Sequence, residues 1–236
     1  MTSAQLIAAA RAQGRIALDE RSGKQLLASF GVAVPKSIVV SDARAVAGML
    51  AALKPPFAVK VMSPDILHKS DAGGVALNLH GAAEVEHAIS VMMAAPQIKT
   101  ARVEGYLIEE MAPPGHELVV GAVRDPNFGP LVMVGLGGIF VEVLADVAFR
   151  ICPITRIDAN EMLAELKSAA ILKGARGRKP ASHDAIIDVL LKLGGDNGLL
   201  IQHAGDLKEA DINPLIVSES GAVAVDARFV LSDEQP

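Results

Sequence analysis

The C-terminal run ADINPLIVSESGAVAVDARFVL constrains the chain most tightly, because its turn fixes its register. Two runs rich in β-branched and apolar residues, Glu209–Val217 and Ala222–Leu231, flank Ser218-Glu219-Ser220-Gly221. Serine and glycine at such a junction favour a tight reversal between antiparallel strands. If the turn spans Ser218 to Gly221, Val217 lies opposite Ala222, Asn213 opposite Asp226 and Asp211 opposite Arg228. Side chains alternate along a strand, so these four polar residues share one face. Opposed Cβ atoms lie about 4.5–5.5 Å apart, close enough for an amide and a carboxylate to share a cation. Such oxygen ligands suit Mg²⁺, which accepts few protein ligands and fills its shell with phosphate and water. A half-exposed hairpin with a merely solvated polar face reads the same way, and Pro214 disturbs the register.

Upstream, strand and helix patterns alternate, as in an α/β or α+β fold. A helical region over about Ser3–Phe30 ends at Gly31, and a short strand, Ser37–Val40, follows Pro35. Ser41 can cap the alanine-rich helix that Pro55-Pro56 stops. The apolar strand Phe57–Met62, the loop SPDILHKSDAGG, the strand Val75–His80 and a helix over Ala82–Ala95 complete a first portion. Longer strands then follow at Gly105–Met111, Glu117–Arg124 and Leu131–Gly135, separated by Pro- and Gly-bearing loops. Helices are expected at about Ala159–Ala170 and His183–Leu193, flanking a mobile loop KGARGRKP. With no internal repeat and no long linker, two packed subdomains are expected: residues 1–104, including the N-terminal helical segment, and residues 105–236.

Composition narrows the function. A chain of 236 residues with 51% hydrophobic side chains has ample material for a core. Its 27 acidic against 22 basic residues give no footprint for nucleic acid. Aromatic residues are only 3%, with one Tyr and no Trp, which disfavours base-stacking platforms and membrane belts. The longest apolar run, Gly129–Val141, has 13 residues, against the roughly 20 a spanning helix needs. The single cysteine, Cys152, cannot form an internal disulfide, and with no export signal the expected setting is the cytoplasm.

Several other residues could carry chemistry. Lys60 lies inside the apolar strand FAVKVM, where an ammonium needs a carboxylate, a ligand anion or water at its tip. His68, in HKSD ahead of Gly73-Gly74, could accept a phosphoryl group, or be a surface residue. Glu109 and Glu110 end a strand and Glu117 begins the next, an arrangement that can offer backbone groups to adenine and a carboxylate to ribose. Solvated strand ends would look alike. Gly135-Leu136-Gly137-Gly138 resembles a phosphate loop without matching a Walker or dinucleotide fingerprint. The remaining histidines lack metal-ligand spacing and read as structural, and Cys152 reads as a core or edge thiol.

Together the segments FAVKVMSPDILHKSDAGGV, YLIEEMAPPGHELVVGAVRDPNFGPLVMVGLGGIFVEVLADVAFRICPI and ADINPLIV…AVAVDARFVL resemble the ATP-grasp subunit of NDP-forming acyl-CoA synthetases. The likeness is greater to the β subunits of ADP-forming acetyl-CoA synthetases than to those of succinyl-CoA synthetases. It implies an α+β ATP-grasp fold, two subdomains with the nucleotide between them, and ATP/ADP and Mg²⁺ as cofactors. By motif position it implies that Lys60 contacts nucleotide phosphate and that Glu109, Glu110, Met111 and Ala112 form the adenine hinge. It also implies Glu117 reaching the ribose, Asn213 and Asp226 as metal ligands, Asp211 beside the phosphohistidine site, and His68 as a phosphate carrier. His68 favours the acetyl-CoA branch. The implied reaction is acyl-CoA + ADP + phosphate ⇌ acid + CoA + ATP. The chain shows no CoA-binding or acyl-site half, so a CoA-binding α subunit, in an α2β2 complex, is expected. Two other readings are a non-catalytic nucleotide-sensing module of an acyltransferase system and a self-contained carboxylate–amine ligase. The intact Lys60, His68, Asn213 and Asp226 argue against the first, and the chain length against the second.

Overall fold

Two short N-terminal helices open the chain, each started by a side chain that caps its free N–H groups. In a computed structural model describing residues 1–66, 68–138, 145–174 and 179–232, Thr2 forms a capping box with Gln5 at α1 (Ser3–Ala12) and Asp19 caps α2 (Glu20–Ser29). The single helical region expected from the sequence is broken over residues 13–19, where Gly14 takes a positive φ of 67°.

The chain divides into two compact units, residues 35–112 and residues 1–34 with 113–236. The smaller unit holds β1 (Ser37–Val40), α3 (Val46–Met49), β2 (Phe57–Met62), β3 (Val75–Leu79), α4 (Ala82–Ala94), α5 (Pro96–Thr100) and β4 (Gly105–Glu110). Its antiparallel sheet runs β1-β4-β2-β3. Val59, Val61, Tyr106 and Ile108 form one face, packed with Val85, Ile89 and Met92 of α4. The alternate positions Ala58, Lys60, Leu107 and Glu109 therefore share the other face. Asp42, rather than Ser41, caps the first turn after β1.

The larger unit continues with β5 (His116–Asp125), β6 (Gly129–Leu136), β7 (Val147–Ile151), α6 (Arg156–Glu165), α7 (Ala169–Leu172), α8 (His183–Gly194), α9 (Leu199–Gln202), β8 (Leu207–Ser218), β9 (Gly221–Ala224) and β10 (Arg228–Leu231). Its antiparallel sheet runs β10-β8-β5-β6-β7, with β9 also on β8. Leu118, Val120, Val132, Val134, Ile212, Leu215 and Phe229 point inward against Met162 and Leu163 of α6 and Ile186, Ile187 and Leu190 of α8. Each such burial contributes about 1.5–3 kcal/mol. That seals one face of the sheet and leaves the other for polar groups.

Two expectations about organisation change. The boundary near residue 104 falls one strand too early, because β4 lies inside the smaller sheet between β1 and β2. The N-terminal helices group with the larger unit rather than with residues 35–104. Leu6, Ile7, Leu26 and Leu27 carry that docking, buried in the core of the larger unit, and Gly23 permits its closeness: a Cβ there would lie 2.8 Å from the Ala227 carbonyl and 3.3 Å from the Phe229 ring. Helix α2 thus rests on the segment that carries Asp226. The strand β7 was not expected, and the last run divides into β9 and β10. The loop KGARGRKP spans residues 173–180, of which 175–178 lie outside the described residues. Among the described residues no helix is long and apolar enough to cross a membrane.

Gly23→Ala tests the docking by its sign. In an exposed helix interior the change would stabilise by roughly 1 kcal/mol; here overpacking against a backbone carbonyl should destabilise by about 1–3 kcal/mol. A lowered urea midpoint is the expected result.

Candidate functional site

The outward face of the larger sheet is organised by a bulge in β8. Leu118 pairs with Leu215 and Val120 with Ile212, so Val119 faces two residues, Asn213 and Pro214. Proline has no N–H to give to a ladder and is tolerated in a sheet at such a position. The extra residue also shifts the parity of β8: Ala210 and Ile212 are buried before it, Leu215 and Val217 after it. Asp211 and Asn213 both remain on the outward, exposed side.

The counted hairpin register holds on either side of an interruption. Val217 pairs with Ala222, and Asp211 with Arg228. Between them Asp226 sits in the connection from β9 to β10, outside both ladders. The Val225 N–H donates to the Pro214 carbonyl at 3.0 Å, which keeps the two chains adjacent there. Asp226 Oδ1 accepts from the Ala227 N–H at 2.8 Å. Along β5 the outward positions are Glu117, Val119, Gly121 and Val123, with Glu117 opposite Ile216 and Gly121 opposite Asp211. Glu117, Asp211 and Asn213 therefore share one side of the larger unit's sheet, and Asp226 lies in the adjoining β9–β10 connection of the same unit.

Electrostatics show what this side lacks. The Asp211 carboxyl is raised above its ordinary value, first by burial and then by the negative charge of Asp226, while Arg228 acts the other way. Its side chain keeps an exposed edge, so the burial is that of a cleft floor rather than of a core. Two carboxylates close enough for one to raise the other, with Asn213 two residues along β8 on the same outward side, are a donor set of the kind a hard divalent cation would relieve. Among the described residues no group of three or more His, Cys, Asp or Glu side chains is placed to hold a metal. The Asn213–Asp226 set is of another kind, one amide and one carboxylate, and it fits Mg²⁺ rather than zinc.

In the smaller unit Lys60 Nζ lies 3.2 Å from Glu109 Oε2, with both side chains almost wholly buried. The two sit diagonally on neighbouring strands, since Lys60 pairs with Leu107. Of the expected hinge, Glu109 thus turns its carboxylate to Lys60, and its backbone lies in ladders with Ser37 and Ala58. Glu110 Oε1 accepts from the Lys54 N–H at 2.9 Å, and the Met111 N–H donates to the Pro56 carbonyl at 2.9 Å. Ala112 follows at the boundary of the unit.

The His68 loop is folded back on β2. The N–H groups of Ala72 and Gly74 donate to the carbonyls of His68 (3.2 Å) and Lys69 (2.7 Å), and the Gly74 carbonyl accepts from the Val61 N–H at 2.8 Å. Gly74 is required there, since a Cβ would meet Val61 Cγ1 at 2.4 Å. His68 itself is exposed. Of the other histidines, His116 is buried with Nε2 2.8 Å from the Lys179 carbonyl, and His203 is buried with Nδ1 3.1 Å from Asp206 Oδ2. His80, His87 and His183 are exposed. Burial pushes the Cys152 thiol up to about 11, so it is no nucleophile near neutrality. In the Gly135–Gly138 run, Gly135 and Leu136 end β6, and Gly137 and Gly138 lie beyond it, Gly137 donating its N–H to the Glu117 carbonyl at 2.8 Å.

Sequence reasoning passed over Gly121, Met133 and Phe149. Consecutive ladder partners place them in one row with Arg228 and Asp211. They line a cleft of about 270 Å³. The available signal was the glycine inside the strand ELVVGAVRD, which marks a close approach or a hollow.

This architecture is that of an ATP-grasp domain, and residues 9–231 match the model of the ATP-grasp domain family. The chain is 42% identical to the β subunit of ADP-forming acetate–CoA ligase I of Pyrococcus furiosus, covering 96% of this chain and 97% of that one. It is 45% identical to ADP-forming acetate–CoA ligase I of Archaeoglobus fulgidus, of which it spans 30%. It superposes with a TM-score of 0.91 and 37% identity, over 98% of this chain and 100% of the other, on the dinucleotide-forming acetyl-coenzyme A synthetase 1 of Ca. Korarchaeum cryptofilum in complex with coenzyme A and Ca-AMPCP. That enzyme is also solved with Mg-AMPPCP, its phosphohistidine segment pointing towards the nucleotide binding site (TM-score 0.84, 36% identity, same coverage). The chain belongs to the family of ADP-forming acetate–CoA ligase β subunits.

The buried pair gives a direct test. Lys60→Met leaves the Glu109 carboxylate buried without this cation and should cost about 3–5 kcal/mol. Adding Glu109→Leu should restore most of the loss, read as urea midpoints of the single and double variants.

Proposed function

We propose that this chain is the nucleotide-binding subunit of an ADP-forming acyl-CoA ligase, which with a CoA-binding partner interconverts acyl-CoA, ADP and phosphate with carboxylic acid, CoA and ATP. The observation that carries the reading is the placement of Glu117, Asp211 and Asn213 on one outward sheet face beside the connection that holds Asp226, in a chain that spans 97% of a β subunit named for this activity. The β-subunit name and the longer single-chain relatives support a CoA-binding α partner, and we assign the pair an α2β2 assembly in the cytoplasm.

Each unit has its share of the chemistry. Lys60 meets the nucleotide phosphates, and Glu109 fixes its ammonium so that little side-chain entropy remains to be lost on binding. Glu110, Met111 and Ala112 border the adenine, and Glu117 takes the ribose hydroxyls. Asn213 and Asp226 hold Mg²⁺, which when bound neutralises phosphate charge. His68 accepts the phosphoryl group: its neutral ring nitrogen forms the P–N bond as the bond from phosphorus to the ADP oxygen breaks, and ADP leaves. The reverse transfer to ADP makes ATP. Asp211 serves as the acidic residue beside the phosphohistidine site. A nucleotide-sensing module would have no use for a carrier histidine, which favours the ligase reading.

The test pairs the purified chain with a CoA-binding α chain, supplies ³²P-labelled ATP and Mg²⁺, and maps acid-labile phosphate. Label on His68 that ADP discharges is expected, and His68→Ala should lower acyl-CoA turnover at least 100-fold, in line with loss of covalent catalysis. Full turnover by His68→Ala would remove the carrier role. Nucleotide binding with no turnover under any partner would favour the sensor.

A further inference from the structure

Helix α2 carries on its buried side a charged pair that neither the core nor the chemistry proposed above accounts for. Glu20, Gly23, Lys24 and Leu27 recur at helical spacing and are all buried. Lys24 Nζ lies 2.7 Å from Glu20 Oε1, with the two side chains 4% and 3% exposed. An ion pair so placed adds little net stability, and apolar residues of similar size would pack there as well or better. Its surroundings give it a use.

The neighbour of this pair is the β9–β10 connection. Just before α2, Ala17 bridges Val230, and the Leu18 N–H donates to the Phe229 carbonyl at 2.9 Å. Just after it, the Ala33 carbonyl accepts from the Ala224 N–H at 2.9 Å. Midway, a Cβ on Gly23 would stand 2.8 Å from the Ala227 carbonyl. Residue numbers rise along the helix as they fall along the connection, so the two run antiparallel. Ten helical residues rise about 15 Å, and an extended run from 224 to 229 covers about 16 Å. The helix therefore splints the whole connection. Lys24, one step past Gly23 toward Ala33, comes level with Val225 and Asp226.

We infer that Lys24 is a positioning residue for Asp226: its ammonium, fixed by Glu20, braces residues 225–227 from the α2 side and holds the Asp226 carboxylate ready for a cation. An ammonium has three N–H donors. Glu20 Oε1 takes one, and the flanked connection offers carbonyls and a carboxylate as acceptors for the others. Glu20 balances the charge, so the pair as a whole does not repel an arriving cation. The Val225 N–H donates to the Pro214 carbonyl at 3.0 Å, so β8 and α2 each hold a part of the same connection. The inference rests on the ligase reading, in which Asp226 is a metal ligand, and adds to it the side chains that keep that ligand in place.

The experiment compares the full wild-type chain with Lys24→Met and with the apolar pair Glu20→Leu, Lys24→Met. A purely structural ion pair and a brace differ in the double variant. Its urea midpoint should return to that of the wild type, since no buried charge is left alone. Its Kd for ADP without Mg²⁺ should stay within twofold. The strengthening of ADP binding by Mg²⁺ should nevertheless fall at least fivefold, and amide hydrogen exchange at Val225 and Ala227 should quicken at least tenfold. Glu20→Gln with Lys24→Gln, which keeps a polar contact without charge, is the second variant and should give the same two readings. A stable double variant with an undiminished Mg²⁺ effect, or with unchanged exchange at these amides, would overturn the brace. Exchange reads the connection without metal or nucleotide. A wild type whose ADP binding ignores Mg²⁺ therefore counts against Asp226 as a metal ligand, and exchange alone then decides the brace.

Discussion

A sheet with one face sealed by its helices is the constraint on which the larger unit depends. Leu118, Val120, Val132, Val134, Ile212 and Leu215 can be buried only if their alternate neighbours face outward. The bulge at Asn213-Pro214 permits this over the whole length of β8, because it changes parity partway without turning the strand over. A β8 without it would have to bury Ile216 and Ser218, and expose Leu215 and Val217. The packing of the core and the display of Asp211 and Asn213 are thus a single requirement, and helix α2, seated at Gly23, holds the neighbouring segment that carries Asp226.

The smaller unit solves a different problem. Lys60 is placed on a strand between Val59 and Val61, both wholly buried, so its charge has to be met locally. Glu109 does so at 3.2 Å. A buried ion pair of this kind adds little net stability, because desolvation offsets most of the attraction. It holds the ammonium in one position, which the proposed phosphate-binding role of Lys60 would require. The His68 loop is tied to the same sheet at its end, where the Gly74 carbonyl accepts from the Val61 N–H of β2.

Much of this was legible in the sequence, and the failures share a cause. The hairpin register could be counted because a local turn sets it. The apolar strands Phe57–Met62 and Gly105–Glu110 announce themselves by composition. The unit boundary was misplaced because β4 pairs with β1 and β2, contacts far apart in sequence. Adjacency in sequence suggests the wrong unit for the N-terminal helices, because Leu6, Ile7, Leu26 and Leu27 are buried in the core of the larger one. Strand β7 is a short edge strand whose exposed Phe149 and Ile151 mask the usual alternation. Pro214 signalled a disturbance without saying that it would be a bulge. Lys60 and Glu109 were each singled out, but only the diagonal register joins them.

The central claim is that Asn213 and Asp226 together hold the cation through which this subunit grips its nucleotide. Calorimetric titration of ADP with and without Mg²⁺, on the wild-type chain, Asn213→Ala and Asp226→Ala, tests it most directly. The account predicts that Mg²⁺ strengthens ADP binding at least tenfold in the wild type and by less than twofold in either variant. An undiminished Mg²⁺ effect in both variants would contradict it.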